Sequence, residues 1–488
     1  MKGYRLIMLG LGLLLSITTC FAAKDVICNT VSEATAKLAA AKPGDLVVLK
    51  NGTYSLGILT LEGNGTADQP ITFKAETTGG VIFDDAAKLY LAGKYIVVDG
   101  FKFTGKGGYI EFKDSSSYCS LLNTTMDGCG NDTWVSIFGT YARVGYCAFK
   151  NKTGDKNKNK EMLRLRVGVE HHARIDHNYF YNYTYLKQET NETIKNGTEC
   201  IQAGMYLEKR EGKILWKNTP SYSVIEDNYF HKWYGETEMV SVKASKTIFR
   251  HNTIQDCNGT VTLRQADDCE IYGNFFLQQG NQLAGGIRVY GARHKIYNNY
   301  FSTGGLSSIR TGVALLSGNS DPDLDPQPAR DTVVAFNSFF DCQNQSITIG
   351  TKNPVPPERC VIANNLIKSS SGVLVKYDAI PVGFKYEGNM MFGTDLGLEK
   401  PAGIMIADPL LEVWNGTYRL APKSPALKAA TGAYDYINED IYGGKRLGQK
   451  DIGAAQFSSV SMEKQAVRRP LTESDIGPGT ETKAKKNK

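Results

Sequence analysis

Glu236 and Glu238 stand two residues apart, Lys243 follows five residues after the second, and Arg264 lies 21 residues beyond the lysine. Carboxylates can hold a hard cation, a lysine can take a proton, and an arginine can stabilise a developing anion. Together they could remove a proton from a carbon next to a carboxylate. Glu-x-Glu alone is a common pattern, and two solvated glutamates on an exposed strand account for it as well. On a strand, residues i and i+2 share a face about 7 Å apart, so Glu236 and Glu238 are expected side by side. Two carboxylates that close repel each other, and a divalent cation relieves the conflict. Calcium accepts several oxygens in flexible geometry and suits a solvent-filled cleft. Strict alternation puts Lys243 on the face opposite Glu238, so the strand is expected to bend or bulge between them.

Arg264 can reach Lys243 only if the chain returns to the same place after about one such interval, and a recurring pattern indicates that it does. The pattern is an apolar residue, two variable residues, Asn, a variable residue, then an aromatic or apolar one. It reads Ile175-Asp176-His177-Asn178-Tyr179-Phe180 and recurs around Asn228, Asn252, Asn274, Asn299, Asn337, Asn365 and Asn389. From Asn228 to Asn299 the asparagines step by 24, 22 and 25 residues. That period, with β-branched and aromatic runs and Asn and Gly at corners, marks a stacked repeat. The Leu-x-x-Leu-x-Leu signature of leucine-rich repeats is missing, as is the apolar rhythm of helical repeats. The expected fold is all-β: a right-handed parallel β-helix solenoid, with the asparagines in a structural ladder. A short N-terminal helix over Glu33–Ala41, capped by Ser32, is expected to cover the end of the stack.

One period in a solenoid is one layer, about 5 Å. Lys243, Arg264 and Arg288, which follows Arg264 by 24 residues, are therefore expected to form a column along the coil axis. A cationic stripe of this kind matches a polyanionic sugar chain in a groove. Irregular steps mark insertions at Met205–Pro220 and in the Pro-rich Asp321–Ala329 stretch, both expected to frame a cleft.

The first 23 residues read as an export signal, with Lys2 and Arg5 before an apolar run too short to span a bilayer. The protein is expected to be periplasmic or extracellular, with a lipoprotein anchored at Cys20 as the lesser alternative. Residues 24–457 form the expected solenoid domain, and 458–488 a polar, flexible tail. No later stretch is apolar enough to cross a membrane. Ten scattered cysteines, nine of them after the expected signal and none in CxxC pairs, argue against a disulfide scaffold and a zinc site. The net charge of +6 is mild for 488 residues, and no motif supports nucleic-acid binding. The basic Lys150–Lys160 stretch reads as a solvated loop. The sequence leaves the oligomeric state open.

The repeat, the Gly-Glu-x-Glu…Lys segment, Leu263-Arg264 and Gly285-Gly286-Ile287-Arg288 resemble polysaccharide lyase family 6. That family holds alginate lyases and dermatan-degrading enzymes of the chondroitinase B type. The resemblance runs from about residue 25 to Gln456. Asn196-Gly197-Thr198-Glu199-Cys200-Ile201-Gln202-Ala203-Gly204 is similar to the family's Asn-Gly-Gly-Glu-Thr-Ile-Arg-Ile-Gly. The resemblance implies Asn196, Glu236 and Glu238 as Ca2+ ligands, Lys243 as base and Arg264 as the catalytic arginine. Arg288 and Tyr290 are the expected substrate-binding residues. Gln202-Ala203 replaces an Arg-Ile pair, and Gln265 stands where a histidine often follows the arginine, so a role for that histidine does not carry over. The expected substrate is an acidic polysaccharide, alginate ahead of dermatan sulfate. The alternative of another class is a non-catalytic β-helix surface protein that binds carbohydrate, which has no need of the Lys243–Arg264–Arg288 column.

Overall fold

Short runs such as Val240-Ser241-Val242 and Val261-Thr262-Leu263 alternate apolar and polar residues, and this period of two is what a strand with one buried face requires. The computed structural model describes residues 25–154, 161–166, 170–185, 197–204, 209–214, 219–399, 402–457 and 468–481. The expected export signal, with Cys20, and Asn196 lie outside these residues.

Among the described residues the strands form three long parallel sheets of 14, 12 and 15 strands. The first runs from Asp25–Cys28 to Lys385–Glu387, the second from Ile58–Leu61 to Val373–Tyr377, and the third from Gly52–Tyr54 to Ile404–Ile406. Each coil contributes one strand to each sheet, giving the right-handed parallel β-helix. Inward residues of the second sheet, including Val240, Val242, Val261, Leu263, Ile287 and Val289, are at most 1% exposed and fill the core. The free cysteines, from Cys28 to Cys360, are all buried.

The asparagine ladder is present. Asn252 Nδ2 donates to the carbonyls of Ile225 and Arg250 and to Asn274 Oδ1, while Asn252 Oδ1 accepts the Asn228 N–H at 2.9 Å. The same pattern runs from Asn178 to Asn389. Every ladder amide is buried yet bonded through both its nitrogen and its oxygen, which offsets the penalty of burying it.

The N-terminal helix spans Val31–Ala39, and its cap is Thr30, not Ser32: Thr30 Oγ1 accepts the Glu33 N–H at 3.2 Å. Thr30-x-x-Glu33 is the capping-box spacing, a signal that favours the earlier start.

Residues 468–481, in the segment read as a tail, pack back along earlier coils. The Leu471 N–H donates to Thr253 Oγ1, Gly477 to the His177 carbonyl and Gly479 to Asn123 Oδ1. Ile476 is 3% exposed among Ala148, Tyr179 and Tyr229. This strap therefore runs along the stack toward its N-terminal end.

Candidate active site

The strand Glu238–Val242 of the second sheet pairs with Gly259–Leu263, and its register shifts between Glu238 and Val240. Glu238 faces Thr260 while Val240 faces Val261, so Met239 is the extra residue of a β-bulge. Val240 and Val242 point inward, leaving Ser241 outward. The bulge turns Glu238 to that same outer face, where Ser241 Oγ donates to Glu238 Oε2 at 2.6 Å. Lys243 follows Ser241 by two residues and shares its face. The bulge is the break in alternation that the sequence required.

Register also places the cations. Val242, Leu263 and Val289 are successive partners, so the row one residue on contains Lys243, Arg264 and Tyr290. Arg288 pairs with Thr262 and belongs to the row of Ser241. This corrects the expected column: Lys243 and Arg264 are neighbours, but Arg288 is displaced by two residues. The coil from Leu263 to Val289 is 26 residues long, and a second register shift, between Gly259 and Val261, accounts for one of those residues in the Ala284–Val289 strand. Gly286 sits within it, where a Cβ would meet the Gly312 carbonyl oxygen at 2.1 Å. Arg288 still points outward and pairs with Glu238. Tyr290 receives both guanidinium groups against its ring, Arg264 at 5.3 Å and Arg288 at 5.5 Å from the centroid.

The two glutamates, expected side by side on one strand, stand in different settings. Glu238 opens the strand, whereas Glu236 precedes it and is 3% exposed. Glu236 Oε1 accepts the N–H groups of Gly197 and Thr198 at 2.7 and 3.2 Å. Burial, then the nearby charges of Glu199 and Glu238, push the Glu236 carboxyl up to about 8. Glu238 is lowered instead: burial raises it, but Arg288, Arg264, Lys243 and the Ser241 hydroxyl outweigh that.

Two residues not singled out for chemistry from the sequence complete the cluster. Glu199 is 3% exposed; its Oε1 lies 3.7 Å from Lys243 Nζ and accepts from Gln202 Nε2 at 3.0 Å, while its Oε2 is buried with no hydrogen-bond partner. Asp325 arrives from the Pro-rich excursion, and its Oδ2 lies 2.8 Å from Arg264 Nη2. Burial pushes Asp325 up to about 6, and its Oδ1 is unpartnered. The excursion thus supplies one wall of the site, as its position suggested. Gln265, beside Arg264, is buried.

Beside Lys243 in the same row lies Gly204, since Val242 pairs with Ala203. Its φ is +91° and a Cβ there would stand 2.7 Å from the Lys243 carbonyl oxygen. Glycine both permits the turn and leaves the lysine uncrowded on that side.

The donor set fits a cation. Glu236 and Glu199 are buried carboxylates that raise each other's energy, and Glu199 keeps a bare oxygen. Glu238 has its charge met by arginine. Elsewhere, Glu226, Asp227 and His251 gather ligand-type atoms within 4.8 Å of one another. Glu226 there pairs with Arg174 and Arg250.

Three parallel sheets, a bulged strand and acid, lysine and arginine groups converging on one outer face make a parallel β-helix with one densely charged face. The sequence matches the family described as Chondroitinase B over residues 28–422. The chain belongs to that family, polysaccharide lyase family 6. Among solved structures, it is similar to the family 6 alginate lyase AlyGC, at 24% identity and TM-score 0.72 over 82% of this chain and 56% of that one. It spans little more than half of AlyGC. A family 6 alginate lyase in complex with a trisaccharide matches at 21% identity and TM-score 0.70, covering 82% of this chain and 92% of that one. A mannuronic acid-specific family 6 lyase from human gut microbiota matches at 22% and 0.63, covering 76% and 87%. At these identities the likeness speaks for the fold. No curated protein matches in sequence.

Proposed function

We propose that the chain cleaves a 1,4-linked uronic-acid polysaccharide, alginate by preference, by calcium-assisted β-elimination. The observation that carries this reading is the convergence of Glu199, Glu236, Glu238, Lys243 and Arg264 on one outer face around the Met239 bulge. Lys243 Nζ takes the C5 proton of the uronate. The C5–H electron pair becomes the C4=C5 double bond, the C4–O4 bond breaks, and the departing O4 is protonated from solvent. Arg264, held by Asp325, lies beside the base and stabilises the negative charge that develops. Arg288 and Tyr290 bind neighbouring sugars.

Glu236 and Glu238, with Asn196, are the proposed calcium ligands, and Glu199 joins them on the strength of its bare oxygen. The bound ion would neutralise the substrate carboxylate and acidify C5. A carboxylate pair working as a glycosidase is disfavoured, because acid and nucleophile must face each other across the sugar. The name of the matched family keeps dermatan sulfate as the second reading. We also read the domain as exported; no described helix is long and apolar enough to cross a membrane.

A digestion panel with poly-mannuronate, poly-guluronate and dermatan sulfate, followed by ultraviolet absorbance of unsaturated ends, tests the reading. Absorbance rising only with dermatan sulfate sinks the alginate preference. No rise with any of the three sinks the lyase reading.

A further inference from the structure

Just before successive strands of the first sheet, one residue adopts a left-handed backbone. In successive coils this residue is Tyr95, Tyr118, Tyr141, His172, Tyr222 and Lys246, with φ between 48° and 57°. A side chain other than glycine or asparagine costs about 1–2 kcal/mol there, so five aromatic residues in sequence call for a reason. Their rings stack along the coil axis at centroid distances of 4.7, 4.5, 4.8 and 5.1 Å, with interplanar angles of 5–7°. Lys246 closes the row, its Nζ 4.9 Å from the Tyr222 ring centroid and 3.0 Å from the Tyr222 hydroxyl.

Stacking offsets part of the backbone strain, but it does not explain the exposure. Tyr118 and Tyr141 are each 43% exposed and Tyr222 is 37% exposed. Faces are covered by neighbouring rings, so edges and hydroxyls are what the row offers. The column also changes character at one point. Beyond Lys246 it continues as Asp268, Arg293, Asp331 and Arg359, which pair as Arg293–Asp268 and Arg359–Asp331. The change falls in the coil of Lys243, three residues from the proposed base.

We propose that this exposed tyrosine row is a second binding track for the acidic polysaccharide, holding a length of polymer outside the catalytic cleft. The occupant follows from the geometry. Hydroxyl-bearing edges stand at the coil spacing on Tyr95, Tyr118 and Tyr141, with His172 between them and Tyr222, and that spacing is comparable to the advance per sugar in an extended 1,4-linked chain. Exposed Lys94, next to Tyr95, and Lys246 place a cation at each end, complementary to uronate carboxylates. The row is continuous with the coil that carries the catalytic cleft. The proposal rests on the polyuronate reading above.

The test is the triple variant Tyr118→Phe, Tyr141→Phe, Tyr222→Phe, which keeps every ring in the stack and removes the hydroxyls. A thermal melt confirms that the stack survives. The expected result is a KM for polymer raised about fivefold, as loss of one or two neutral hydrogen bonds implies, with kcat/KM on a tetrasaccharide unchanged. Lys246→Gln is expected to act in the same direction and more strongly at low salt. An unchanged KM for polymer, or equal losses on polymer and tetrasaccharide, overturns the track. Retardation in gels containing alginate reads polymer binding without cleavage. Wild type that is retarded but cleaves nothing, with the variant less retarded, removes the lyase reading and keeps the track. Wild type and variant that migrate alike remove the track even if alginate is cleaved.

Discussion

The asparagine corner and the outer face of the second sheet are built from the same coils, yet they treat buried polar groups in opposite ways. Along the corner each amide meets the next amide and the backbone carbonyls around it. Around Lys243 the repeat is broken by two register shifts, and Glu199 Oε2, Asp325 Oδ1 and Arg288 Nε are buried without partners. The corner stores stability. The face stores unmet charge, which a cation and an acidic sugar can satisfy. A solenoid suits this division because each layer contacts only its neighbours, so strain in two or three coils does not spread.

The comparison can be broken most sharply at the base. Lys243→Ala is expected to lower the rate of unsaturated-end formation about 10³-fold, with circular dichroism and melting temperature unchanged. Activity near wild type in that variant removes Lys243 as base. The corner should respond the other way. Asn252→Ala orphans the buried Asn228 N–H and is expected to cost about 3 kcal/mol of stability by denaturant titration, with kcat on the still-folded enzyme near normal.

A third test uses pH. The folded-state pKa of Glu236 is raised to about 8 from 4.5. The folded protein therefore holds a proton that the unfolded chain has released between those values, and stability without metal falls as pH rises through that window. Below 4.5 the penalty vanishes, and above about 8 it is complete. Glu236→Gln should flatten this slope, a gain of ~2–3 kcal/mol at pH 9 in chelator, while activity is lost. Calcium should restore stability to wild type alone; a slope identical in the two proteins sinks the argument. The smallest expected effect is at Asp325→Asn, about tenfold in kcat/KM, because it removes the charge that holds Arg264 without touching the base.

Much of this was legible in the sequence because periodicity is additive. The 21-residue step placed Arg264 beside Lys243, and the structure keeps them in one row. The same reasoning misplaced Arg288, since a bulge adds residues that a mean period does not contain. The side-by-side reading of Glu236 and Glu238 missed their different settings, because spacing fixes faces only within a regular strand and Glu236 lies before its start. Glu199 lay within a segment already compared with the family, but nothing in its spacing distinguished it from its neighbours. Asp325 comes from an excursion 61 residues beyond Arg264 and carries no period at all. Residues on the repeat can be located by counting; residues on insertions need coordinates.

The strap formed by residues 468–481 has a consequence for the order of assembly. A bare stack of coils can grow from one end as it leaves the ribosome and can fray from either end. Here residues 468–481 bond to coils made far earlier, at Asn123, His177 and Thr253. Those coils stay unlatched until residues 468–481 have been made, and afterwards they cannot peel apart without first releasing the latch. A ladder open at both ends has become a closed circuit.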